Sequence, residues 1–250
     1  ASAPAAPARL PAADAGVAAV AGAPPPPVLP ATLSRNDAGQ ATVRAVRLTG
    51  TLALDGILDE AIYRTIDPIS DFVQYEPVHG ALPTEKTEVW LFFDDTHFYI
   101  TARCWHSAPE SEWIANEMRR DAFNVLMNGR VGFLLDTFYD RRNGLIFNVN
   151  AIGGRTDGQM TDERTDTYNG DLNPIWHVRT GRFEHGWTFE AAIPFKSLRY
   201  KPGRTQVWGI NFLRPVAFTA STKPASSHEF MDERSIVSCP SNASINSGHV

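Results

Sequence analysis

TEVWLFFDDTHFYITARCW, residues 87–105, is the stretch on which the fold turns. Its first half alternates with period two, placing Val89, Leu91 and Phe93 on one strand face and Trp90 and Phe92 on the other. The second half repeats the pattern: Phe98, Ile100, Ala102 and Cys104 share a face, with Tyr99, Arg103 and Trp105 opposite. Between them residues 94–97, DDTH, are polar and turn-sized, so the two runs are expected to pair as an antiparallel hairpin. That pairing gathers Trp90, Tyr99, Arg103 and Trp105 into one patch, a cation among aromatic rings. The patch has two readings. It is a platform for a sugar or a partner, or it is a sheet face that helices or loops cover, since aromatic strand residues commonly serve packing.

Outward from this hairpin the same texture continues in AVRLT, LALD, RVGFLLDTF, GLIFNVN, IWHVRT, WTFEAAIPF and VWGINFLR. The breaks at 140–144 and 181–186 are again short and polar, which suits further hairpins. Only 59–66 and 112–123 read as helical. The expected fold is an all-β antiparallel sandwich, jelly-roll-like, with one or two short helices and disordered tails. Three regions follow. Residues 1–40 are an Ala/Pro-rich tether whose APPPPVLP block favours extended polyproline geometry, or serves as a ligand for an aromatic groove. Residues 41–214 form the sandwich. Residues 215–250 are a Ser-rich irregular tail without strand alternation, expected to be disordered or poorly packed, which would leave an open sheet edge.

The 250 residues are 43% hydrophobic and 20% charged, enough for one full core. A net charge of −5 opposes nucleic-acid binding, which needs a basic face. The pairs Arg119–Arg120 and Arg141–Arg142 sit beside Asp121 and Asp140, as solvated turns do. Two cysteines are too few for a disulfide scaffold, and Cys104 reads as a buried free thiol. No run is long and apolar enough to span a bilayer. The opening ASAPAAPARL suits either a mature chain left by cleavage after small residues or a trimmed one, so export is an expectation.

Asp55, Asp59 and Glu60 cluster in LALDGILDEAIY and raise the question of a catalytic or metal-binding group. Asp55-Gly56 is a tight-turn dipeptide, Asp59 suits a helix N-cap, and Glu60 suits the first helical turn. A glycosidase pair needs carboxyls about 5 to 10 Å apart across a cleft, which adjacent turn positions do not predict. No G-x-S-x-G, H-E-x-x-H or G-x-x-x-x-G-K motif is present, and the glycine-rich run at 151–158 reads as a turn or bulge.

In order, LDGILDEAIY, TEVWLFFDDTHFYITARCW, FLLDTFYDRRNGLIFNVNAIGG, GWTFEAAIPFKSL and VWGINF resemble the family 9 carbohydrate-binding modules. The resemblance is closer to the variant that precedes a predicted outer-membrane β-barrel in bacterial proteins, and it covers about residues 44–214. It implies a non-catalytic sandwich, exported to the periplasm or outer membrane, that binds a polysaccharide or oligosaccharide or accompanies a barrel partner. A glycoside hydrolase is the third reading, resting only on the company such modules keep.

Sugar sites need flat rings for the C–H face of a pyranose and polar groups for its hydroxyls. In sugar-binding members the segment before the RVGFLLD strand resembles W-x-x-D-S-V-E-I-F. Aligned on Asp136, Leu126 falls where the Trp would be and Gly132 where the Glu would be. His106 falls at the expected Asp, and Asn148 near the expected Arg. Trp187 and Trp208 alternate with core-type residues and read as structural, whereas Trp113 and Trp176 adjoin polar loops where an exposed ring would be useful. In TDERTDTYNGDLN, Asp162, Glu163, Asp166 and Asp171 are oxygen donors of the type calcium takes, although their spacing is not that of an EF-hand loop. The resemblance to calcium-stabilised sandwiches raises structural calcium as a cofactor; the alternative is a solvated loop.

Overall fold

Alternation becomes pairing throughout the computed structural model, which describes residues 21–162, 164–203 and 205–217, with backbone alone at 164–167, 228–230 and 236–240. In chain order the elements are β1 (Leu33–Arg35), β2 (Ala41–Arg44), β3 (Val46–Arg47), helix α1 (Ile62–Thr65), β4 (Val73–Glu76), β5 (Thr87–Phe93), β6 (His97–Trp105) and β7 (Arg130–Asp136). There follow β8 (Gly144–Asn150), β9 (Arg155–Thr161), β10 (Arg164–Asn169), β11 (His177–Phe183), β12 (Gly186–Pro194), β13 (Thr205–Pro215), β14 (His228–Phe230) and β15 (Ile236–Pro240). One sheet runs β11-β12-β6-β5-β3; the other runs β1-β2-β15-β13-β7-β8-β9-β10, with β14 and β4 beside it.

The three expected hairpins form. β5 pairs antiparallel with β6 from Thr87↔Cys104 to Phe93↔Phe98, and Asp94 Oδ1 closes the turn by accepting from the Thr96 and His97 amides at 2.6 and 2.7 Å. β7 pairs with β8 and β11 with β12 in the same sense. Val89, Leu91, Phe93, Phe98, Ile100 and Cys104 of one sheet meet Val131, Phe133, Phe147, Ile210 and Phe212 of the other in one buried cluster. Phe98 meets Trp208 across the sandwich at 5.3 Å, edge-on. Each such buried ring contributes about 1.5–3 kcal/mol through removal from water, and two facing sheets are what their alternation requires.

Several elements depart from the sequence reading. The 112–123 segment is not helical: 3-10 turns at Glu110–Glu112 and Phe123–Met127 flank extended chain. There Asn128 Oδ1 accepts from the Asn116 and Glu117 amides, and Ile114 exchanges hydrogen bonds with Ala217 and Gly129, so tertiary partners replace helical ones. LALD is extended but forms no ladder. Polar β9 and β10 are strands because β8 offers β9 a full register of backbone partners. The N-terminal region joins the fold before residue 41: β1 pairs with β2, and Pro24 O accepts from Thr42 Oγ1 at 2.7 Å. Of the tether expected at 1–40, residues 1–20 lie outside the described residues. The region expected as an irregular tail supplies β14 and β15, and β15 bridges β13 to β2. Among the described residues no helix is long and apolar enough to cross a membrane, which says nothing of β-barrels.

Candidate functional site

The candidate residues fall into separate groups. On the outer face of the five-stranded sheet, β5 and β6 do bring Trp90, Tyr99, Arg103 and Trp105 together, but residues 52–66 lie over Trp90. Leu52, Leu58, Tyr63 and Ile66 pack on Trp90 and Phe92 as a second small core. Tyr63 meets Trp90 edge-on at 5.2 Å, and Trp90 Nε1 donates to Ile66 O at 3.0 Å. At 2% exposure Trp90 has no face for a saccharide. Arg103 lies over Trp90 and Trp105 at 5.5 and 5.7 Å and pairs with Glu88 at 3.4 Å. Tyr99 donates to Asp94 at 2.7 Å. Half-buried Trp105, with Lys86 over its ring at 4.4 Å, is what remains of the patch.

The acidic cluster proves structural, by different bonds from those expected. Asp55 Oδ1 accepts from the Ile57 amide at 2.8 Å, and Glu60 Oε1 from the Ala53 amide at 3.0 Å. The residue before α1 is Ala61, with no side-chain cap, so Asp59 does not serve as one. An acid that sequence reading passed over organises the segment. Glu190 on β12, wholly buried, accepts from the Asp55 and Gly56 amides at 3.0 and 2.8 Å and from the Tyr63 hydroxyl at 2.9 Å. Burial pushes its carboxyl up to about 7, against these donors, which favour the charged form.

Trp176 is also core. It is 1% exposed, packs edge-on to Phe147 at 5.2 Å, and donates to Asp157 Oδ2 at 2.9 Å. Arg120 donates to the same oxygen at 2.8 Å, which corrects its reading as a solvated turn residue. The calcium set is not one loop. Asp162 and Asp171 lie at opposite ends of six-residue β10, about 3.3 Å per residue apart along the strand, and Asp162 pairs with Arg142 at 2.6 Å. Glu163 and the Asp166 side chain lie outside the described residues. Among the described residues no group of three or more potential metal ligands converges.

The remaining candidates converge at one end of the sandwich. An open depression there is lined by His106, Trp113, Arg130, Trp187 and Arg214 among others. Trp113 is half-buried; its Nε1 donates to Ala108 O at 2.8 Å, and its ring stacks on His106 at 4.9 Å and 27°. Arg182 lies over Trp113 at 5.5 Å. Burial pulls the His106 imidazole down to about 4, Glu85 opposing and Arg214 adding, so it is neutral at physiological pH.

Asn148 is buried on β8 opposite Gly132, and both its ends are used. Its Oδ1 accepts from Arg130 Nε at 3.1 Å, and its Nδ2 donates to Thr156 Oγ1 at 3.1 Å. A β-carbon on Gly132 would meet Asn148 Oδ1 at 2.7 Å, so the glycine makes room for this amide. The arginine of the site therefore comes from position 130, two residues before Gly132 on the same face, where period-two alternation would have found it. Sequence reading also missed Arg214, which donates to Lys86 O, Thr87 Oγ1 and Trp105 O. Phe123, 69% exposed, opens the 3-10 turn that leads to β7.

No family model matches the sequence, and no curated protein does. Solved structures do. A family 9 carbohydrate-binding module from Caldicellulosiruptor kristjanssonii in complex with cellotriose is 15% identical with a TM-score of 0.53, over 83% of this chain and 98% of that one. The same organism's family 9 module in complex with glucose is 15% identical with a TM-score of 0.54, over 83% and 100%. A candidate carbohydrate-binding protein from Bacteroides uniformis ATCC 8492 is 10% identical with a TM-score of 0.55, over 79% and 98%. The chain thus has the sandwich fold of family 9 carbohydrate-binding modules.

Proposed function

We propose that the protein is a non-catalytic carbohydrate-binding module that holds a saccharide end at the pocket beside Trp113. The observation carrying this reading is that half-buried Trp113 and Arg130, the latter bonded to Asn148, line one pocket on a fold shared with modules solved with cellotriose and glucose. A ring supplies stacking for the C–H face of a pyranose, and the guanidinium donates to its oxygens. Export to the periplasm or outer membrane belongs to the same proposal and rests on the sequence resemblance. Affinity electrophoresis against a panel of polysaccharides tests it: binding is expected, and Trp113→Ala should weaken it about tenfold or more. Failure of every saccharide, or indifference to Trp113→Ala, would overturn the reading.

A second reading has its own observation. Leu126 and Gly132 replace the stacking ring and the carboxylate of the family motif, which favours an interaction domain that docks to an outer-membrane barrel and has lost sugar recognition. Co-purification with a barrel protein, without saccharide binding, is its expected outcome.

A further inference from the structure

Among the described residues, the pocket beside Trp113 is lined by two arginines and no carboxylate. On a chain of net charge −5 this is a local inversion of sign. Arg130 spends Nε on Asn148 Oδ1 and Nη1 on Leu126 O, both neutral acceptors, and its Nη2 donates to nothing among the described residues. Among the described residues Arg214 likewise meets only neutral oxygens. The other cation at the rim, Arg182, is already paired with Glu110 at 2.7 Å. Glu85 acts on His106 but is not part of the lining, and its oxygens take the Ser107 amide and hydroxyl at 2.9 and 2.5 Å. Burial alone pulls the Arg130 guanidinium down to about 10, with no acid offsetting it. A partly buried cation left with neutral partners is unfavourable until an anion joins it.

We propose that this pocket selects acidic sugars: the terminal unit of a saccharide binds against Trp113 with its carboxylate or sulfate ester on Arg130, Arg214 adding long-range attraction. The proposal rests on the saccharide-binding reading above and names the class of sugar. A planar guanidinium with unused N–H groups matches two oxygens of an anion, and a pocket of one sign draws such a ligand in. A hydroxyl of a neutral sugar could accept from Arg130, but it would leave the charge uncompensated.

Calorimetry on the full chain decides it, with an oligogalacturonate, a sulfated cello-oligosaccharide and an unsubstituted cello-oligosaccharide as probes, at low and high salt. The expected result is that at least one acidic probe binds about tenfold or more tighter than the neutral one at low salt. Salt should shrink that advantage. Arg130→Gln should bring the ratio of acidic to neutral affinity to about one. Preference for the galacturonate would identify a uronate, and preference for the sulfated probe a sulfate ester; either supports the proposal. Equal or better binding of the neutral probe, or no response to salt, overturns the acidic preference and leaves saccharide binding standing, whether or not the variant folds. Binding of none of the three overturns both.

Discussion

Glu190 and His106 are buried groups whose protonation equilibria are displaced in opposite directions, so they impose opposite pH slopes on stability. The Glu190 carboxyl moves from 4.5 to about 7, so its contribution is complete below about 4.5 and is lost as pH rises toward 7. His106 moves from 6.5 to about 4, so its contribution is complete above about 6.5 and is lost as pH falls toward 4. Relative to the parent, Glu190→Gln should therefore gain stability as pH rises from about 4.5 to 7, while His106→Gln should lose it over about 4 to 6.5. Urea unfolding at a series of pH values reads both slopes; parallel responses of the two variants would contradict this account. Glu190→Ala is a different perturbation, because it strands two buried amides and a phenol, and should cost about 3 kcal/mol or more.

At the scale of elements, the turn after residue 52 is held from below by the β11–β12 hairpin. Gly56 has φ +88°, and a β-carbon there would lie 2.6 Å from the Thr180 carbonyl carbon, while Thr188 Oγ1 donates to Gly56 O at 2.6 Å. Gly56→Ala should therefore cost more than about 2 kcal/mol and loosen the cover over Trp90, which tryptophan fluorescence and thermal melting would register. A comparable clamp holds the segment carrying Trp113. Asn150, fully buried, donates to Glu117 O and Asn128 Oδ1 at 2.7 and 2.9 Å and accepts from the Gly154 amide at 2.7 Å. Asn150→Ala should cost about 3 kcal/mol and weaken saccharide binding, with faster hydrogen exchange at residues 114–129 as the accompanying signature. The expected helix at 112–123 fails for this same reason: its Asn116 and Glu117 amides donate to Asn128 Oδ1, and its Glu117 carbonyl accepts from Asn150 of β8.

For the whole molecule, the ten-stranded sheet closes only because distant pieces of chain join it. β15 lies between β2 and β13, and β14 continues along β13. Removing residues 218–250 should leave β2, β13 and β4 each with an edge lacking its backbone partner, lowering the melting temperature and promoting self-association visible by size-exclusion chromatography. An unchanged monomer would contradict that role for β14 and β15.

Two-residue alternation was enough to identify the sandwich, its three hairpins and the paired faces of β5 and β6, because period two fixes which side chains share a face. Alternation also marks Arg130 as sharing a face with Gly132, although its role becomes visible only beside Asn148. Periodicity could not tell an exposed aromatic face from a covered one. Trp90 and Trp176 carry the same local pattern as a ligand platform, and only the packing of residues 52–66, and of Asp157 with Arg120, buries them. Strands β9, β10, β14 and β15 were equally illegible, since their polar residues join a sheet through main-chain hydrogen bonds that any sequence can make. Which ring stays open to a ligand, and which cation lacks an acid, are relations between residues far apart in the chain, and those relations exist only after it has folded.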